Sequence, residues 1–392
     1  MIDEILSLVR EHEDWRWKNC INLIPSENVT SLAVRELLSS DMGCRYTSRE
    51  KFYMGTKFLD EIELYGEELA KEVFNAETAD LRPLSGHIAE WIFLSTFTKP
   101  GDKIICIKPE DGGYPGIWNE GLAGLLNLKV VPFPFSKEKM NIEVEKAKEV
   151  IQTEKPKIVL FGASLFLFPH PVSEIAKVAK ENGAIIGYDG SHVLGLIAGK
   201  QFQDPLREGA HVLLGSTHKT FFGPQGGILL AYERYGEEMK RLIHPRFVDN
   251  AHWNRIAALT LALAEMKEFG KSYAQQVICN AKKLAEALAD YGFPVMCREY
   301  GFTSSHQVIL NYGGYKQGRK IARKLERVNI IVDSGVRIGT CEVTRRGMKE
   351  GEMEKIAELI KRAMDGENEE KIRTEVRRMV KEFQEINYCF KN

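Results

Sequence analysis

From about residue 80 to residue 232, short apolar segments alternate with runs of helical period. A helix over 87–97 precedes the strand Lys103-Ile104-Ile105-Cys106-Ile107. A strand over 128–133, a helix over 142–152 and the strand Lys157-Ile158-Val159-Leu160-Phe161 follow. Next come a helix over 172–181, the strand Ala184-Ile185-Ile186-Gly187-Tyr188, and strands over 211–215 and 227–231. Short apolar strands spaced by helices imply an α/β fold: a mostly parallel sheet covered on both faces. In such sheets ligands bind beyond the carboxyl ends of the strands.

The flanks read differently. Residues 2–18 form an amphipathic pattern with Ile5, Leu8, Val9 and Trp15 near one face. A second helix is expected from Ser31 through Val34, Leu37 and Leu38, and a third over 60–74. Helical patterns dominate 252–290. Strands near 294–297, 307–311 and 336–339, with helices over 317–327, 351–364 and 370–385, make a smaller α+β domain. At 392 residues the chain is too long for one small core. The expected division is an N-terminal helical arm over 1–45, a large domain over 46–268 and a small domain over 269–392.

Composition narrows the function classes. The chain is 44% hydrophobic and 28% charged, as ordinary soluble proteins are. Its net charge of -1 provides no basic field for nucleic acid or an anionic membrane. No apolar run reaches the roughly 18–20 residues that span a bilayer. The start, Met1-Ile2-Asp3-Glu4, is acidic and lacks the basic opening of a signal peptide. The seven cysteines are scattered and include no C-x-x-C pair, so reduced thiols in a cytoplasm are expected, with no metal site.

Two strand ends carry the chemistry. Lys219 follows the apolar segment Val212-Leu213-Leu214 in Gly215-Ser216-Thr217-His218-Lys219-Thr220, and a turn-rich Phe221-Phe222-Gly223-Pro224-Gln225-Gly226-Gly227 comes next. Asp189 ends the strand before it. A lysine and an aspartate so placed suit pyridoxal phosphate. The amine condenses with the aldehyde, and the carboxylate keeps the pyridine nitrogen protonated. Each residue also has a plainer reading. Lys219 could be a surface lysine, although a P-loop is excluded because His218 precedes it. Asp189 could cap a turn, and His192 could be a solvated loop histidine or a partner of the cofactor's phenolic oxygen. Ser85 and Gly86 in Pro83-Leu84-Ser85-Gly86-His87 open a helix, where backbone N–H groups attract phosphate, or form an ordinary N-cap. Arg337, among apolar residues of a strand, could capture a substrate carboxylate or form a structural ion pair.

These segments together resemble the serine hydroxymethyltransferase family, especially its archaeal branch. The resemblance rests on Tyr188–Gly199, Ser216–Gly227, Leu23-Ile24-Pro25-Ser26-Glu27-Asn28, Arg337-Ile338-Gly339-Thr340 and Thr344-Arg345-Arg346-Gly347. It covers nearly the whole chain in the family's order. It implies the aspartate aminotransferase-like fold (fold type I) and a homodimer with sites at the subunit interface. Lys219 would be the Schiff-base lysine and Asp189 the pyridine-nitrogen partner. His192 and Ser164 would lie near the phenolic oxygen. Ser85 and Gly86 would hold the phosphate, with Ser216 and His218 nearby. Arg337 and Ser26 would bind the amino-acid carboxylate. Tyr46 and Tyr53 would reach in from the second subunit.

Three departures lie on the one-carbon side. The family's tyrosine-alanine-glutamate-glycine is replaced by the shorter Tyr46–Gly55 segment, with Ser48 where the glutamate belongs and Glu50 out of register. Asn329–Asp333 runs almost directly into Ser334-Gly335-Val336-Arg337, without the family's longer loop. Asp111-Gly112-Gly113-Tyr114-Pro115 stands where many members place a histidine stacked on the cofactor ring; Asp111 fits the archaeal branch. The implied activity is serine/glycine interconversion with a tetrahydropterin acceptor. The alternatives are a pterin-independent β-hydroxy amino-acid aldolase or a Cα-carbanion transferase using another carbonyl partner, and a silent binding paralogue.

Overall fold

The computed structural model describes residues 1–47 and 52–391. Its contacts divide the chain into two units. One comprises Met1–Val29 and Gln275–Cys389; the other comprises Thr30–Ala274 and the C-terminal residues from Phe390. The breaks therefore fall at other positions than the expected 45/46 and 268/269. The second break lies inside one long helix, Trp253–Asp290.

The larger unit is built on a seven-stranded sheet. Its spatial order is Thr78–Asp80, Gly227–Ala231, Val212–Ser216, Ile185–Asp189, Ile158–Phe161, Lys103–Cys106 and Lys129–Pro132. Gly227–Ala231 runs antiparallel to both neighbours, and the pairings from Val212–Ser216 outward to Lys129–Pro132 are parallel. Every residue of Ile158–Phe161, Val212–Ser216 and Gly227–Ala231 is buried. That burial is why these strands read as unbroken apolar runs rather than alternating ones. The sheet adds one strand to the expected set. Thr78–Asp80 is three residues long and mostly polar, so it has no apolar run to mark it.

The smaller unit joins the N-terminal segment to residues 275–389. Ile21–Asn22 pairs in parallel with Ile330–Ile331, and Gln307–Ile309 pairs antiparallel with Arg337–Gly339. The strand expected near 294–297 reduces to one bridge, Val295 to Leu310. Ile21, Leu23, Ile330, Ile338 and Ile356 share its core. Buried Arg346 stacks over Trp17 at 4.4 Å, and its Nη2 donates to the Trp17 carbonyl at 2.8 Å. The first helix, Ile2–Asn19, has no buried residue; Ile5, Leu8 and Val9 are 57%, 61% and 51% exposed. Among the described residues, no helix is long and apolar enough to cross a membrane.

Candidate active site

The carboxyl ends of two neighbouring parallel strands carry the expected pair. In register, Asp189 faces Leu214, two residues before Ser216. The Asp189 Oδ1 accepts the backbone N–H of Ser191 at 2.9 Å. The Ser191 hydroxyl then accepts the backbone N–H of Ser216 at 2.9 Å and lies 3.2 Å from the Ser216 hydroxyl. One serine thus joins both strand ends. Gly162 must be glycine beside them: its φ is +129°, and a Cβ there would come within 2.7 Å of the Asp189 backbone oxygen.

The lysine loop leaves Ser216 and is pinned along its length. The Thr217 N–H donates to the Gly226 carbonyl at 3.1 Å, and its hydroxyl donates to the Pro224 carbonyl at 2.7 Å. The Thr220 hydroxyl accepts the Gly195 N–H at 3.0 Å. Lys219 is half-buried between these anchors. His218 beside it is held neutral: burial, with the Lys219 charge adding to it, pushes its imidazole down to about 4. The His218 Nδ1 is buried with no hydrogen-bond partner among the described residues.

The helix Gly86–Phe97 starts against the same loop. Ser85 is its N-cap and accepts the Ile88 N–H at 3.1 Å. A Cβ on Gly86 would lie 2.4 Å from the Ser216 hydroxyl and 2.9 Å from its backbone nitrogen. Bare backbone, serine hydroxyls and free N–H groups at a helix start converge there, a cradle for a phosphate dianion.

His192 is buried two residues beyond the Gly190 turn, whose N–H donates to the Leu214 carbonyl at 2.8 Å. The Ser164 N–H donates to the Gly112 carbonyl at 2.8 Å, joining the strand 158–161 exit to the 111–115 segment. Asp111 is buried, with Lys108 and Lys137 each 3.6 Å from its carboxylate. Tyr114 meets His87 edge-on, its hydroxyl 3.3 Å from Nδ1. Tyr46 and Tyr53 pack together at 5.4 Å between ring centroids and are 51% and 39% exposed. Ser48 and Glu50 lie outside the described residues.

In the smaller unit, Arg337 Nε donates to Asp333 Oδ2 at 2.8 Å, the structural ion pair weighed above. Asp333 also accepts the Gly335 N–H at 2.8 Å, which closes the turn before the strand. The turn bearing Ser26 docks on this strand: the Gly339 N–H donates to the Leu23 carbonyl at 2.8 Å, and a Cβ on Gly339 would strike Pro25 at 2.4 Å.

Two residues of the site were not singled out from the sequence. Ser191 lay within the motif that drew attention to Asp189, but its role as a tie between strands needs the register. Glu90 carries no signal, because a glutamate in a helix normally faces solvent.

A mostly parallel α/β sheet with a lysine loop, an aspartate at a strand end and a phosphate cradle defines a pyridoxal-phosphate enzyme of fold type I. The comparisons agree. A solved L-threonine transaldolase from Pseudomonas fluorescens superposes with a TM-score of 0.93 at 27% identity, covering 99% of this chain and 93% of that one. Residues 1–360 match the family described as serine hydroxymethyltransferase. A curated serine hydroxymethyltransferase from Methanocaldococcus jannaschii is 47% identical over 97% of this chain and 94% of its own length. One from Thermococcus kodakarensis is 45% identical over 99% and 96%. The chain belongs to the serine hydroxymethyltransferase family.

The family implies pyridoxal phosphate, and this chain's residues fit it. The Gly86 cradle suits the phosphate, and the buried His218 Nδ1 is left without a partner among the described residues. Asp189 is a buried carboxylate whose Oδ1 accepts a local backbone N–H. Lys219 emerges from a loop anchored on both sides by the Thr217 and Thr220 hydroxyls.

Proposed function

We propose that this protein interconverts serine and glycine as a pyridoxal-phosphate-dependent hydroxymethyltransferase, with a tetrahydropterin as one-carbon acceptor. The observation that carries the reading is the Asp189–Ser191–Ser216 tie beside the Lys219 loop, in a chain 47% identical to a curated enzyme of that name. Bound pyridoxal phosphate supplies an aldehyde for amine capture and a protonated ring that stabilises negative charge at the amino acid's α-carbon. Lys219 would hold the cofactor by condensation of its Nζ with the aldehyde, with loss of water. Asp189 holds the proton on the ring nitrogen. Ser85, Gly86 and Ser216 donate to the phosphate, and neutral His218 adds a donor without adding charge. His192 and Ser164 would flank the phenolic oxygen, and Asp111 with its loop would face the ring. Arg337 and Ser26 orient the amino acid by its α-carboxylate.

The working form is a homodimer in which Tyr46 and Tyr53 serve the second copy's site. The exposure of both tyrosines, and of the apolar side chains along Ile2–Asn19, supports this. Seven free thiols support a cytoplasmic location. The amino acid and the pterin are the small-molecule partners.

A second reading, cleavage or transfer of β-hydroxy amino acids without a pterin, draws support from the altered Tyr46–Gly55 segment and the likeness to a threonine transaldolase. Pure protein incubated with serine, with and without tetrahydropterin, separates them. Glycine formation that requires the pterin is expected. Equal rates without it, or faster cleavage of threonine, would establish the second reading instead.

A further inference from the structure

Glu90 is the least expected side chain near the site. It is 1% exposed, and among the described residues no hydrogen-bond donor reaches either carboxyl oxygen. An ionised carboxylate so placed would be prohibitively costly, whereas a neutral acid is tolerated if it can donate its proton.

Helix geometry fixes what it faces. Residues 86, 90 and 93 lie on one face of Gly86–Phe97, at i, i+4 and i+7. That face rests on the sheet at both ends. A Cβ on Gly86 would meet Ser216 and the Ser191 hydroxyl, and a Cβ on Gly187 would meet the Phe93 ring at 2.6 Å. Gly187 and Ser191 bracket Asp189 along the chain. Glu90, between the two contacts, is therefore level with Asp189. The absence of side chains at Gly86 and Gly187 is what lets the helix come this close.

The groups around Glu90 come from four other elements. Asp189 ends its strand, Lys219 lies in the loop after the next, Cys106 ends Lys103–Cys106, and Tyr114 sits in the 111–115 segment. Burial and the Asp189 charge both raise the proton affinity of Glu90, and Lys219 opposes them more weakly. Asp189 already uses Oδ1 to accept from Ser191, so Oδ2 is the acceptor for a second donor.

We propose that Glu90 is a neutral carboxylic acid whose proton is donated to Asp189, making it a positioning residue that keeps Asp189 as the ionised member of the pair. The assignment rests on the pyridoxal-phosphate reading above. It has two sharp consequences. Glutamine, a neutral donor of the same shape, should replace Glu90; leucine should not.

The test uses wild type, Glu90→Gln and Glu90→Leu, each as holoenzyme and after removal of the cofactor. Infrared spectra of the wild type should show a protonated-carboxyl carbonyl band at neutral pH that shifts in heavy water and vanishes in Glu90→Gln. Cofactor affinity and the pH titration of the visible absorption should stay within about threefold of wild type in Glu90→Gln. Glu90→Leu should weaken affinity by tenfold or more and displace the titration. Absence of the band, Glu90→Gln behaving like Glu90→Leu, or Glu90→Leu behaving like wild type would overturn the assignment. Wild-type protein that takes up no pyridoxal phosphate would overturn the proposed function instead. The infrared band still reports on Glu90 in that case.

Discussion

The Ser191 hydroxyl accepts the backbone N–H of Ser216 at 2.9 Å, so a single side chain couples the two strand ends that carry Asp189 and the lysine loop. Removing it leaves a buried N–H without a partner, a loss of about 1–3 kcal/mol. Ser191→Ala should lower the urea midpoint and weaken cofactor binding together. A variant with wild-type cofactor affinity would show that the tie does not shape the site.

Gly86 tests the cradle by steric means. An added methyl would sit 2.9 Å from the Ser216 backbone nitrogen, which cannot swing aside as a side chain could. Overpacking of this kind costs about 1–3 kcal/mol. Gly86→Ala should reduce pyridoxal phosphate affinity at least tenfold. Equilibrium fluorescence titration reads it directly.

Lys219 tests the covalent attachment. Lys219→Ala should fold and bind cofactor without a borohydride-trappable adduct, and turnover should be abolished. Full activity in that variant would remove the lysine from the mechanism.

Arg337 separates binding from stability. Its Nε is engaged by Asp333 at 2.8 Å at a partly exposed position, so its structural value is modest. Arg337→Lys cannot present a planar fork to a carboxylate. It should raise KM for serine at least tenfold while shifting Tm little.

His170 sets part of the acid limit of stability. Burial holds its imidazole down to about 3, with the Phe166 ring stacked at 4.2 Å and the Gly162 N–H donated to Nδ1 at 3.3 Å. The folded state therefore refuses a proton that the unfolded chain accepts below about pH 6.5. Stability falls as pH drops from about 6.5 towards 3, by up to about 1.4 kcal/mol per pH unit from this group. His170→Asn keeps an acceptor for Gly162 and cannot titrate. Urea unfolding across that range should be flatter in the variant.

The large sheet was legible because its strands are buried on both faces and read as continuous apolar runs. Asp189 and Lys219 were legible because each directly follows such a run. Glu90 was not, because its burial depends on two glycines, Gly86 at the start of its own helix and Gly187 on a strand of the sheet, admitting the helix to the sheet. The strand Thr78–Asp80 escaped notice because it is short and polar and is held by its neighbour, Gly227–Ala231. The apolar stripe of Ile2–Asn19 was read correctly as a pattern, but a pattern does not say that the side chains would remain exposed. Nor does periodicity along the chain reveal that Ile21–Asn22 pairs with Ile330–Ile331.

That last pairing has a consequence for biosynthesis. Domains form in order as the chain is made, N-terminal first. Here the opening residues cannot follow that order. Ile21 and Asn22 have no strand to join, and the Asn22 amide has no Glu342 to meet, until more than three hundred further residues have been translated. The first part of the protein to leave the ribosome is among the last to be secured, and the turn carrying Ser26 is completed only as synthesis nears its end.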